Sequence, residues 1–259
     1  MGTTKFMCEK KDAVAYISVY EEEVRKPCTL DWDSLAMLED IIEDLRGDKT
    51  IRAAVLQSKS PKSFIVGANI ATLETLNDKN IIDWVKNGHR IFGKLQELPI
   101  PVIAKIERYA LGGGLELAMS CDMIIASEEA MFAQPEASLG VMPGWGGTGR
   151  LASLIGPNRA KEMFYTGKQI TAAQAYEWGL VNHVCPADEL DDLVAQILAD
   201  IMKNDAQVLQ LTKEIINTHN QSYMKQNALE EAYTSSVCMA SETTKGRLAA
   251  FFASRKKKK

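Results

Sequence analysis

The chain has 259 residues, 46% hydrophobic and 25% charged, the make-up of a folded globular protein rather than a disordered or fibrous one. A net charge of −4 argues against nucleic acid as the principal partner, and no apolar run approaches the roughly 18 residues of a membrane span. The five cysteines are odd in number and lack CxxC spacing, so a reducing, cytoplasmic setting is expected rather than a disulfide framework.

Residues 1–23 alternate apolar and charged side chains, without the basic start and apolar core of a signal peptide. Within them, 14–19 (VAYISV) reads as a strand of β-branched and aromatic residues. Residues 33–45 carry a helical stripe of Leu35, Leu38, Ile41, Ile42 and Leu45, with Gly47 placed to end it. The short apolar run 53–57 suits a strand buried on both faces, and 64–68 (FIVGA) follows a polar stretch. A helix is predicted over 82–98, stopped by Pro99 and Pro101. Strands 102–106 and 123–126 flank a glycine-rich segment, and this alternation predicts an α/β layered core. From about Leu151 only helices are expected, including one from the Thr171–Gln174 capping box to Gly179, then 191–202 and 206–219. The expected division is a core of residues 1–195 and a helical region of 196–259.

The segment 110–119, ALGGGLELAM, carries the clearest chemical signal. Its three glycines leave backbone N–H groups bare, and a helix start there would present unpaired amides and a positive dipole end. Glu116 sits among apolar neighbours, so it is expected to be buried with its proton affinity raised. A second glutamate, Glu136, follows Pro135 and precedes another glycine cluster at 144–149. Two poorly solvated carboxylates near bare amides suit acid–base work on a carbonyl compound.

Other chemistries find less support. GWGGTG at 144–149 satisfies the dinucleotide string, but Met142-Pro143 before it is no central strand. No Gly-Lys-Ser/Thr phosphate loop, metal-spaced histidine pair or GxSxG nucleophile setting is present, and His89, His183 and His219 stand alone.

The run from Ile103 to Leu151, with GGGLELA, QPE and PGWGGTG in order, resembles the core signature of the enoyl-CoA hydratase/isomerase (crotonase) superfamily, and the resemblance extends over essentially the whole chain. It implies a spiral of ββα units followed by a helical trimerisation region, assembled as a trimer or a dimer of trimers. It implies hydration of a 2-enoyl-CoA thioester by syn addition of water, with coenzyme A part of the substrate and no metal or redox cofactor. By position, Glu116 and Glu136 match the two hydratase glutamates, Ala68 and Gly113 the oxyanion donors, and Gly144 a glycine near the catalytic water. Val66, Ala68, Ile70 and Phe251 match coenzyme A contacts, with Arg25, Lys62, Arg255 and Lys256 as candidates for its phosphates. The basic tail 255–259 is read either as such a contact, made across a subunit boundary, or as a solvated end.

Departures from the pattern bear on the acyl pocket. Asn69 stands where the family commonly has Asp, Trp145 fills the variable position of PGxGGT, and Ser254 falls where a phosphate-binding lysine is often found. Trp145 keeps open a branched or cyclic acyl group. The competing activities are a hydratase for cyclic dienoyl-CoA and a Δ3,Δ2-enoyl-CoA isomerase; a non-catalytic coenzyme A- or RNA-binding relative is the remaining class.

Overall fold

The computed structural model of the chain describes residues 4–256, and the side chains of all of these except 219–221 and 256. Strands β1 (Thr4–Lys11) and β2 (Val14–Glu21) pair as an antiparallel hairpin. Helix α1 (Trp32–Gly47) begins at a capping box in which Asp31 accepts from the Ser34 amide and the Ser34 hydroxyl accepts from the Asp31 amide. It runs through Gly47, and Asp48 is its cap instead.

Three strand–strand–helix units follow. Strand β3 (Ala53–Ser58) and β4 (Ser63–Ile65) lead to α2 (Ile70–Thr75) and α3 (Ile81–Gln96). Strand β5 (Val102–Ile106) and β6 (Tyr109–Leu111) lead to α4 (Gly113–Ala118). Strand β7 (Met123–Ser127) and β8 (Met131–Ala133) lead through a 3-10 turn, Glu136–Leu139, to α5 (Gly147–Ile155). In each unit the first strand joins one sheet and the second joins the other, which winds the chain into the spiral of ββα units expected from the sequence. Strand β4 stops at Ile65, and Gly67 at φ +101 turns the chain.

Beyond α5 lie α6 (Pro157–Thr166), the two-residue strand β9 (Ile170–Thr171), α7 (Ala172–Trp178), β10 (His183–Cys185), α8 (Leu190–Met202), α9 (Ala206–Ala240) and α10 (Glu242–Lys256). Strands β9 and β10 correct the expectation of helices alone, each pairing at a sheet edge. The main sheet runs β1-β2-β3-β5-β7-β10, parallel from β2 onward, and the smaller one runs β4-β6-β8-β9.

Period-two alternation divides the main sheet between two cores. Ile17, Leu56, Ala104 and Ile124 face the large core, while Val14, Val55, Ile103 and Ile125 face Leu190, Val194 and Leu198 of α8. The boundary expected after residue 195 falls inside that helix. Helix α9 has 35 residues and continues well past the predicted end at 219. It packs along α3, where Asn217 donates to the Gln96 carbonyl (3.0 Å), and its Lys213 pairs with Asp122 (2.7 Å) just before β7. Among the described residues no helix is long and apolar enough to cross a membrane.

Candidate active site

A cavity of about 370 Å³ lies between the spiral and the last two helices, and Ala68, Gly113, Glu116, Glu136, Gly144 and Trp145 all line it. Ala68 and Gly113 line it in different ways. Around Ala68, Leu30 donates to the Gly67 carbonyl (2.9 Å) and accepts from the Asn69 amide (2.6 Å), a parallel bridge. In such a bridge the N–H of the middle residue points to the opposite side, here away from Leu30. Gly113 opens α4, whose first amides lack partners within the helix. Gly112 makes the turn into that helix at φ +52, and a Cβ there would stand 2.7 Å from Glu136 Oε1.

Glu116 is 2% exposed and accepts at one oxygen, Oε1, from the amides of Trp145 and Gly147, both at 2.8 Å. Burial pushes its carboxyl well above the ordinary range, reinforced by the charges of Glu231 and Glu136 and opposed by the two amides. Glu136 is half-buried at the opening of the 3-10 turn, with the Gln134 amide nitrogen, in the orientation that pairs it, 3.0 and 3.1 Å from its two oxygens. Desolvation raises the Glu136 carboxyl to about 8, and the Glu231 charge adds to this. The site therefore brings together two carboxyls whose proton affinity burial raises, Glu116 with one oxygen fixed by two amides and Glu136 beside the Gln134 amide.

Trp145 is 3% exposed and forms a wall. Its ring lies 4.9 Å from that of Trp84 and 5.4 Å from that of Phe92, and its Nε1 donates to the Trp84 carbonyl (3.2 Å). The fit depends on missing side chains, since a Cβ on Gly88 or Gly113 would come within 2.1 or 2.4 Å of the ring. Apolar residues Leu73, Leu76, Ile81, Val85 and Met239 continue the lining.

A family profile described as enoyl-CoA hydratase/isomerase matches residues 9–258. The chain belongs to that family. A relative named short-chain-enoyl-CoA hydratase, from Clostridium acetobutylicum, is 34% identical over 99% of this chain and 97% of its own. One named crotonyl-CoA hydratase, from Syntrophomonas wolfei, is 32% identical over 99% of this chain and 98% of its own. The solved structure of an enoyl-CoA hydratase from Bacillus halodurans superposes with a TM-score of 0.87 at 23% identity, covering 95% of this chain and 99% of that one. At that identity the likeness establishes the crotonase fold.

The other positions singled out by the family resemblance divide. Val66, Ile70, Phe251 and Arg255 line the same cavity, the last two from α10 of the same chain, with the Arg255 guanidinium 5.3 Å from the Phe251 ring. Arg255, the first residue of the basic tail, thus lines the cavity of its own chain. Arg25 and Lys62 are exposed and outside the lining, although Arg25 is close in sequence to the rim residue Pro27. Asn69 does not line the pocket: its side chain caps α2 by accepting from the Ala71 amide (2.9 Å) and donates to Thr29 Oγ1 (3.0 Å). Residues 257–259 lie outside the described residues, as does the Lys256 side chain.

Sequence reasoning missed Glu231, which is 1% exposed although the adjacent Glu230 is exposed. Side by side in a polar helix, the pair reads as surface charge. The available signal was the row Asn227, Glu231, Ser235 and Met239, spaced by four and buried throughout, which marks one helix face.

Proposed function

We propose that this chain hydrates short-chain 2-enoyl-CoA thioesters. What carries the reading is the convergence of Glu116 and Glu136 on one cavity with the outward amides of Ala68 and Gly113. The thioester oxygen sits between those amides, which stabilise the negative charge that develops on it as the β-carbon is attacked. One such donor is worth about 3 kcal/mol of barrier. A single water is held between the two carboxyls. Glu116, its Oε1 fixed by two amides, takes a proton through its other oxygen as the hydroxide equivalent adds to the β-carbon. Glu136, protonated at neutral pH, gives its proton to the α-carbon on the same face.

Short chains are favoured because the Trp145 wall is backed by Trp84 and Phe92 and closes the cavity. The printed names of the Clostridium and Syntrophomonas relatives support the same class. The family resemblance also implies a homo-oligomer, trimeric or hexameric, and the exposed apolar residues of α9 are consistent with contact between copies.

The test is loss of the conjugated thioester absorbance over a panel of linear and cyclic enoyl-CoAs. Crotonyl-CoA should be turned over, and Glu116→Gln and Glu136→Gln should each lower kcat by about 10²–10⁴. Near-normal turnover by either variant would sink the mechanism, and a preference for cyclic dienoyl-CoA or for isomerisation would replace the substrate class.

A further inference from the structure

Glu231 comes from α9, far along the chain from both glutamates, yet it is tied to the loop that holds Glu116. Its Oε2 accepts from the Gly146 amide (2.8 Å) and lies 2.8 Å from His89 Nε2 of α3. Its Oε1 accepts from the Thr148 amide (3.0 Å) and from the Thr148 hydroxyl. The amides of residues 145–148 are therefore dealt alternately to two carboxylates: Trp145 and Gly147 to Glu116, Gly146 and Thr148 to Glu231.

This segment is the start of α5, where helix amides lack internal partners and Gly146 brings no capping side chain. Two glutamates from distant parts of the chain do the capping. Losing one would leave its pair of amides without a partner and remove half of the hydrogen bonds that hold the 145–148 backbone, on which the other pair also depends. Asn227, also on α9, ties the same corner by donating to Thr148 Oγ1 (2.7 Å). Arg150 of α5 donates to the Trp145 carbonyl (2.8 Å).

We propose that Glu231 is a positioning residue for Glu116, acting through the 145–148 backbone to hold two amides on Glu116 Oε1. The proposal rests on the reading of Glu116 as a catalytic group in hydration. The charged and titratable groups facing Glu231 are His89 from α3, Glu116 from α4, Glu136 from the 3-10 turn and Arg150 from α5. Glu231 carries a negative charge toward both site carboxyls and raises the proton affinity of each. Replacing it by glutamine has two separable effects: the loop loses geometry, and both carboxyls release their protons at lower pH.

The experiment compares wild type, Glu116→Gln, Glu231→Gln and Thr148→Val in crotonyl-CoA hydration between pH 5 and 9, with folding checked by circular dichroism. Glu231→Gln should lower kcat by about 10-fold or more, with KM changed less than about 3-fold, the signature of a contact that matters in the transition state. Both limbs of its pH profile should move to lower pH. Thr148→Val removes the hydroxyl that donates to Glu231 and accepts from Asn227 but keeps the Glu231 charge, so it should show the same split in smaller measure with both limbs unmoved, and that split decides the question if Glu231→Gln does not fold. For Glu231→Gln, unchanged kcat, or a lower kcat with both limbs unmoved, overturns the proposal; where that variant does not fold, unchanged kcat in Thr148→Val does. A Glu116→Gln variant that remains active overturns the functional reading and this proposal with it. An inactive Glu116→Gln beside an indifferent Glu231→Gln overturns this proposal alone.

Discussion

With its carboxyl raised to about 8, Glu136 is mostly protonated at pH 7 and loses that proton in a range where most enzymes still work. As the acid of the proposed reaction, it must be protonated to act. We expect kcat/KM for crotonyl-CoA to fall as pH rises through about 8, read from a pH–rate profile. The same shift bears on stability, with the sign opposite to that of a salt-bridged carboxylate. An unfolded glutamate ionises near 4.3. Above that pH the unfolded chain gains by ionising Glu136 and the folded chain does not, so stability declines until about 8 and then levels off. Glu136→Gln should therefore raise the melting temperature at pH 8 and leave it nearly unchanged at pH 4, by differential scanning fluorimetry. At Trp145 the expectation concerns size. Trp145→Leu removes the ring that closes the cavity and should move the optimum of kcat/KM toward longer acyl chains, at a stability cost of about 2–4 kcal/mol. An unchanged chain-length profile would mean that the wall lies elsewhere.

Helix α9 serves two sides of the molecule. One face carries Glu231, Asn227 and Ser235 into the protein, and other positions leave Val208, Leu211, Ile215 and Ile216 exposed, the last two at 64% and 60%. Such a run on one helix is suited to burial against further copies of the chain. Ile215→Asp combined with Ile216→Asp should lower the oligomeric state in multi-angle light scattering, with the monomer's circular dichroism preserved. Helix α10 closes the cavity from the other end. Its Thr244 hydroxyl donates to the Gly140 carbonyl (2.7 Å), and Arg247 donates to the Ser138 carbonyl (3.3 Å), so it braces the turn that carries Glu136. How much of this was legible depended on local pattern. Strands β3 and β5 and helices α1 and α3 announce themselves by uniform burial or a clear stripe. Strands β6 and β8 have three residues each, too few for a period to register, and Tyr109 of β6 is exposed. The end of α9 was missed because its later turns are rich in polar residues that face one another or solvent. The glutamates at 116 and 136 stood out because apolar or glycine-rich neighbours surround them. Glu231 did not, since what buries it lies in other parts of the chain.

At the scale of the molecule, the spiral and the C-terminal helices share buried surface and hydrogen bonds. Helix α8 covers the second face of the main sheet through Leu190, Val194 and Leu198, and α9 supplies the carboxylate that caps α5. A chain ending at residue 195 would expose Val55, Ile103 and Ile125 in part and leave the Gly146 and Thr148 amides without Glu231. We expect that truncation to lose cooperative unfolding in urea, with a shallow transition in place of a single sigmoid. A sharp transition at near-native midpoint would show that residues 1–195 stand alone.

Position 145 takes part in two tasks with different atoms. In the hydration proposed above its ring shapes the space for the acyl group, while its amide donates to Glu116. Every amino acid but proline carries that amide. Natural variation or engineering is therefore free to explore new substrates by exchanging the side chain at 145, with the proton-handling hardware inherited intact, and proline is the one replacement that would break the inheritance.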